Sequence, residues 1–160
     1  MGEYFYKKSK MYYDNYIAGK LTKKVGSIVK DGNKYLTILR TGKRPMFAGG
    51  SVDDGETTRQ AIAREVLEET GAKVTKLKYI AKEYYSVDCQ FEGKTFPNKR
   101  VEYTYLCEVE KGNYSAMGLE GEFDKDTTVK WCTLKELEEL GMWGPTLELV
   151  KKIERDNIEI

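Results

Sequence analysis

The chain has 160 residues, 40% of them apolar and 33% charged, enough for one soluble domain to bury a core without disulfide or metal staples. With 27 basic against 26 acidic residues the formal net charge is +1, so charge gives no reason to expect a nucleic-acid polymer or a membrane surface as partner. Histidine is absent, which removes Ser-His-Asp and Cys-His hydrolases, histidine-ligated zinc and histidine general bases.

Residues 1–22 are rich in tyrosine and lysine without a clear period, and read as an N-terminal extension or edge element. Two β-rich runs, Lys24 to Lys30 and Lys34 to Arg40, flank Asp31-Gly32-Asn33, a hairpin signal because Gly and Asn tolerate positive φ. A turn-rich stretch with Pro45 and paired glycines, Thr41 to Asp54, leads into a helix over about Thr57 to Thr70, closed by Gly71. Lys76 to Tyr85 reads as strand, and Asp88 to Lys99, with Gly93 and Pro97, as loop. Alternation of Val101, Tyr103, Tyr105, Cys107 and Val109 predicts a half-buried strand. An acidic loop from about Lys111 to Asp126 precedes a strand over Thr128 to Cys132 and two helices, Leu134 to Leu140 and Thr146 to Asp156. No repeat, low-complexity tract or linker interrupts the pattern, so residues 1–160 read as a single α/β domain. Cys89, Cys107 and Cys132 are odd in number and widely spaced, which fits reduced thiols better than a disulfide framework or a zinc site. Met1 to Lys8 lacks a signal-peptide apolar run and no stretch is long enough to span a bilayer, so the expected compartment is the cytoplasm.

Gly49 to Ala72 carries the chemistry: GGSVDDGETTRQAIAREVLEETGA. At roughly 100° per residue, Arg64, Glu65, Glu68 and Glu69 share one side of the helix with Ala61. Ile62, Ala63, Val66 and Leu67 fall opposite and are expected to face a sheet. Three like charges a turn apart repel by a few tenths of a kcal/mol per pair. A divalent cation reverses that sign, and Mg²⁺ or Mn²⁺ takes hard oxygen ligands shared with phosphates. The glycines of the preceding loop let backbone approach the same place. Glu136, Glu138 and Glu139 on a later helix form a comparable acidic run and read simply as solvated surface.

Gly50, Glu56, Arg64, Glu65, Val66, Glu68, Glu69, Gly71 and Ala72 match the spacing of the Nudix box, and the segment resembles that of MutT-like Nudix hydrolases. Seven such identities, at residue frequencies of ~7%, coincide by chance in roughly one window per hundred million. Ala72 at the last aliphatic position, and Ala48 where many members have proline, depart from the usual pattern without touching the carboxylates. The resemblance implies an α/β/α sandwich with a mixed β-sheet between helices, and Mg²⁺-dependent hydrolysis (Mn²⁺ substituting) of a phosphoanhydride bond in a nucleoside diphosphate derivative. It assigns the metal to Glu65, Glu68 and Glu69 with the carbonyl of Gly49. It makes Glu65 an alternative base, Arg64 the group that orients the glutamates, and Glu56 the partner of Arg64. Relatives use a further carboxylate outside the box, and among Glu120, Glu122, Asp124 and Asp126 the first choice here is Glu122. Substrate selection is less legible: Arg44, Phe47 and Tyr85 are the candidates, with Trp143 beside Gly144-Pro145 as pocket wall or helix anchor. The default substrate is a nucleoside triphosphate. ADP-ribose, a nucleotide sugar and a non-catalytic nucleotide-binding module are the alternatives. A homodimer is compatible with the resemblance, though no residue pattern requires one.

Overall fold

The computed structural model describes residues 2–111 and 126–160. Helix α1 (Glu3–Ala18) is followed by strands β1 (Thr22–Asp31), β2 (Lys34–Leu39) and β3 (Gly49–Ser51), then helix α2 (Thr58–Thr70). A long hairpin of β4 (Val74–Phe91) and β5 (Lys94–Val109) comes next, then β6 (Thr128–Thr133), α3 (Leu134–Glu139) and α4 (Gly144–Arg155). The strands form one mixed sheet in the order β4-β5-β1-β2-β6, with β3 on β1. β1 runs parallel to β5, and the other pairings are antiparallel.

Two stretches differ from the sequence-based expectation. The N-terminal segment is helical, ending at Gly19 in the left-handed region (φ 68°), whose following amide, Lys20, closes back on Asn15 O at 2.9 Å. Its period is hard to see because the inward positions, Phe5, Lys8 and Tyr12, include side chains with an apolar body and a polar tip. The other is Asp88 to Lys99, which continues the hairpin: Glu92 and Gly93 both take positive φ (48° and 75°), as a two-residue primed turn requires. Pro97 is tolerated there because β5 first pairs with β1 at Arg100, beyond it.

Each sheet face has its own core. Val25, Val29, Leu36, Ile38 and Cys107 pack under Ala61, Ile62 and Val66 of α2. Ile28, Tyr35, Leu106 and Cys132 meet Leu137 of α3 and Val150 and Ile153 of α4 on the reverse face. A fully buried aliphatic side chain contributes ~1.5–3 kcal/mol, so these clusters hold the layers together. Lys24, Gly26 and Ile28 alternate onto the α4 face, and Tyr12 of α1 meets Lys24 there, so α1 and α4 flank the same surface. This is an α/β/α arrangement with the sheet between helices, as expected. No described helix is long and apolar enough to cross a membrane.

Candidate active site

The α2 helix begins with a capping box: Thr57 Oγ1 accepts from the Gln60 amide at 3.1 Å, and Gln60 Oε1 accepts from the Thr57 amide at 2.9 Å. It ends at Gly71 (φ 75°), whose amide donates to Leu67 O. The buried face between these caps corrects the helix-wheel assignment. Ala61, Ile62, Glu65, Val66, Glu69 and Thr70 face inward, whereas Leu67, expected against the sheet, is 41% exposed. Two of the three box glutamates therefore share the core-facing side. Burying carboxylates is costly unless each finds a donor.

The donors come from the glycine loop and Arg64. Gly49 N–H donates to Glu69 Oε1 at 2.9 Å, and Glu69 is only 1% exposed. Arg64 Nη1 donates to Glu65 Oε1 at 2.9 Å and Glu68 Oε2 at 3.2 Å. The same guanidinium grips Glu56 with two bonds, Nε to Oε2 at 2.8 Å and Nη2 to Oε1 at 3.0 Å, and Nη2 also reaches Ser51 O at 3.0 Å. One planar cation thus ties α2 to β3 and to the intervening loop. Glu56 lies below the ordinary carboxylate range chiefly because of Arg64, while its partners raise Arg64 above its own. Burial pushes Glu65 up, against the opposing pull of a hydrogen bond shared with Glu69 and of Arg64.

Neither glycine of β3 can be replaced without a collision. A Cβ on Gly50 would stand 2.4 Å from Glu65 Oε1, and one on Gly49 would stand 2.5 Å from Val25 O. The first glycine admits a carboxylate against backbone, and the second admits backbone against β1. Among the described residues no three carboxylate or thiol side chains are drawn together as a ready metal cage. The contacts explain this: Nη1 of Arg64 lies between Glu65 and Glu68, and Glu69 turns toward Gly49. The donor set nevertheless fits a hard divalent cation. It consists wholly of carboxylate oxygens on successive turns, one of them pressed into a cradle that only glycine leaves open. Glu122, the first choice for a ligand outside the box, lies outside the described residues, as do Glu120 and Asp124.

A cleft of about 470 Å³ lies between α1 and α4, with Gly49, Gly50 and Glu69 at one edge. Ile28, Phe47, Met142, Trp143 and Leu149 supply its apolar side. Lys24, Glu83, Glu102 and Thr104 rise from the sheet, and Phe5 and Lys8 come from α1. Of the substrate candidates, Phe47 lines the cleft, its ring 6.3 Å from that of Tyr35. Arg44 is exposed and apart from the cleft wall formed by the described residues. Tyr85 stands behind that wall and donates to Glu102 Oε1 at 3.0 Å; burial first, then Glu102, pushes its phenol up to about 12. Trp143 is a pocket wall. Sequence reading missed Lys24, Glu83, Glu102 and the α1 residues. Strand alternation through Lys24, Gly26 and Ile28 was the one available signal, and it required knowing which face α4 covers.

Residues 20–153 match the NUDIX domain family. Among curated relatives, a putative 8-oxo-dGTP diphosphatase YtkD from Bacillus subtilis is 33% identical over 78 residues, 49% of this chain and 49% of that protein. The NAD-capped RNA hydrolase NudC of Escherichia coli is 50% identical over 44 residues, 28% of this chain and 17% of its own length. The chain thus aligns with half or less of the length of these relatives. Among solved structures, a mutator MutT protein from Bacillus halodurans superposes with a TM-score of 0.61 at 22% identity, covering 82% of this chain and 80% of that one. A NUDIX hydrolase from Nitrosomonas europaea gives 0.60 at 19% identity, covering 86% and 90%. At such identities these likenesses establish the fold.

Proposed function

The chain belongs to the Nudix family, and from that premise we propose that it hydrolyses a phosphoanhydride bond in a nucleoside diphosphate derivative, with a nucleoside triphosphate as its preferred substrate. The observation that carries this reading is the junction of the two structural features above: Glu69, held by the Gly49 amide, lines a cleft of nucleotide size together with Gly49 and Gly50, and Glu65 packs against Gly50 from the same helix. Glu65, Glu68 and Glu69, with the Gly49 carbonyl, would hold Mg²⁺ or Mn²⁺. When bound, such an ion neutralises phosphate oxygens and acidifies a coordinated water.

The remaining roles belong to the chain itself. Arg64, clamped by Glu56 and Ser51 O, sets the direction of Glu65 and Glu68. Burial raises the proton affinity of Glu65, which would suit it, in place of metal ligation, to take the proton of an attacking water. Gly50 keeps space for that carboxylate. Phe47 and Trp143 offer flat apolar surface for a base, which places the phosphates toward the glycine loop. Attack at the α-phosphorus of a nucleoside triphosphate forms one P–O bond with water and breaks the α–β bridge, releasing the monophosphate and pyrophosphate. The name of the YtkD relative makes an oxidised guanine nucleotide a natural first substrate to try. A binding module without turnover on this fold would have no use for three such glutamates on one helix.

The test is a product-mass screen with Mg²⁺ or Mn²⁺ over canonical and oxidised nucleoside triphosphates, ADP-ribose, nucleotide sugars and dinucleoside polyphosphates. Metal-dependent cleavage of triphosphates, reduced on the order of 10²–10³-fold in Glu68→Gln, is the expected result. Folded, metal-binding protein that cleaves none of these classes would sink the proposal.

A further inference from the structure

Helix α1 precedes the segment that matches the family, yet it forms one wall of the cleft. Its Tyr12 is buried, and the phenol oxygen accepts from Lys24 Nζ at 3.1 Å. Lys24 is only 8% exposed and also donates to Ser51 Oγ at 3.2 Å. Both partners are neutral, and an ammonium has three protons to give. Among the described residues Lys24 makes no ion pair, even though Glu102 lies beside it in register on β5. The Glu102 carboxylate instead takes the Tyr85 hydroxyl. Arg100 lies over the Tyr12 ring at 4.7 Å and donates to Asn98 Oδ1 at 2.7 Å, again a neutral partner. Lys8 joins the same wall. Lys8 and Lys24 line the cleft, and Lys24 and Arg100 both meet Tyr12; Glu69, Glu83 and Glu102 line it too, with Glu102, the register partner of Lys24, turned to Tyr85.

We propose that α1 is part of the substrate site, and that Lys24, with Lys8, holds an anionic oxygen of the substrate's phosphate chain beyond the phosphoryl group that meets the box glutamates. The inference rests on the nucleotide reading above and narrows it to polyphosphates with a free terminal phosphate. Position supports phosphate as the anion. Lys24 shares its sheet face with Ser51, its partner across β1 and β3, and it lines the same cleft as Gly49, Gly50 and Glu69. An anion held by Lys24 therefore lies in the cleft that the glycine loop and Glu69 border. Burial dominates in depressing the Lys24 pKa, Tyr12 opposes it, and Lys8 and Arg100 depress it further; the charge of a bound anion offsets the repulsion from these two cations. Tyr12 locks the ammonium in place, its pKa lowered by Lys24 and Lys8 despite the opposing effect of burial.

Inorganic tripolyphosphate, titrated calorimetrically into the metal-free protein, reads this site without turnover. The wild type is expected to bind. Lys24→Met should bind at least tenfold more weakly, Lys8→Met about threefold more weakly, and Lys7→Met, on the outer side of α1, like the wild type. Circular dichroism confirms that α1 persists in each variant; Lys8→Met, at a half-buried position less enclosed than Lys24, carries the test should Lys24→Met release the helix. In parallel, kcat/KM for a nucleoside triphosphate should fall more in both variants than kcat/KM for a dinucleoside diphosphate, which lacks a terminal phosphate. Equal tripolyphosphate affinity in the wild type, Lys24→Met and Lys8→Met, or no binding by the wild type, overturns the inference, and intact metal-dependent turnover then leaves the hydrolase reading standing. Lys24-dependent binding without any turnover supports the anion site and removes the hydrolase reading instead.

Discussion

Helices α2 and α3 begin alike and end as different objects. Each is capped by a threonine whose hydroxyl accepts the amide three residues on and whose own amide donates back to the N3 side chain, Gln60 in one and Glu136 in the other. Each then carries three glutamates within a few positions. In α3 these lie at the surface: Glu138 is 46% exposed and sits 3.8 Å from Lys151, and Glu136 sits 3.5 Å from Lys130. In α2 the same residue type is driven inward, Glu65 and Glu69 against β3 and Glu68 onto Arg64. What separates them is the surroundings. Two glycines, one arginine and one backbone amide accommodate buried charge, and among the described residues no equivalent set faces α3.

The contrast breaks most visibly if the carboxylates themselves are exchanged for amides. Glu65→Gln should lower kcat/KM on the order of 10²–10³-fold in Mg²⁺, while Glu138→Gln leaves it unchanged; steady-state kinetics of the pair decides. Equal activities would mean that burial of Glu65 has no catalytic purpose.

The glycines sharpen it next. In Gly49→Ala the new Cβ meets backbone, Val25 O, which has no freedom to withdraw, so destabilisation of about 1–3 kcal/mol is expected by chemical denaturation. In Gly50→Ala it meets the far end of Glu65, which can swing away. The melting temperature should then change little while activity is lost. The reverse pattern would show that the loop, rather than the carboxylate, is what Gly50 accommodates.

Removing the shared cap should make the two helices look similar again. Thr57→Ala and Thr133→Ala should each cost about 1 kcal/mol of stability, because the lost hydrogen bond is the same one. Only Thr57→Ala should also reduce activity, through the α2 residues it orients.

The smallest effect concerns acid. The Thr133 amide, then its hydroxyl, holds Glu136 below the usual glutamate range. Its contribution to stability is therefore fully present above the unfolded-state value and fades as pH falls through the lower native one. Melting curves taken from roughly pH 6 down to roughly pH 3 should show a slightly flatter acid limb in Glu136→Gln than in wild type.

Much of this molecule is readable from spacing alone. The α2 caps, the β1–β2 turn at Gly32-Asn33 and the box residues all lie within short windows, where local geometry has few choices. Glu56 and Arg64 are eight residues apart and meet because a loop and two helical turns bring them together. The long β4–β5 hairpin was less legible, since Gly93 and Pro97 look like loop residues until β1 is seen to begin its pairing only at Arg100. Helix α1 was least legible, its inward face being made of residues that are half apolar and half polar.

By itself the sequence determined the family, the sandwich class and the glutamate set, because those features depend on residue identity at fixed local spacing. Only the tertiary structure decided which side of α2 is buried, that α1 closes the cleft, and that Lys24 and Glu102 rise from its floor. These depend on which sheet face each helix covers, and that choice is made by the summed packing of segments distant in the chain, which no local window contains.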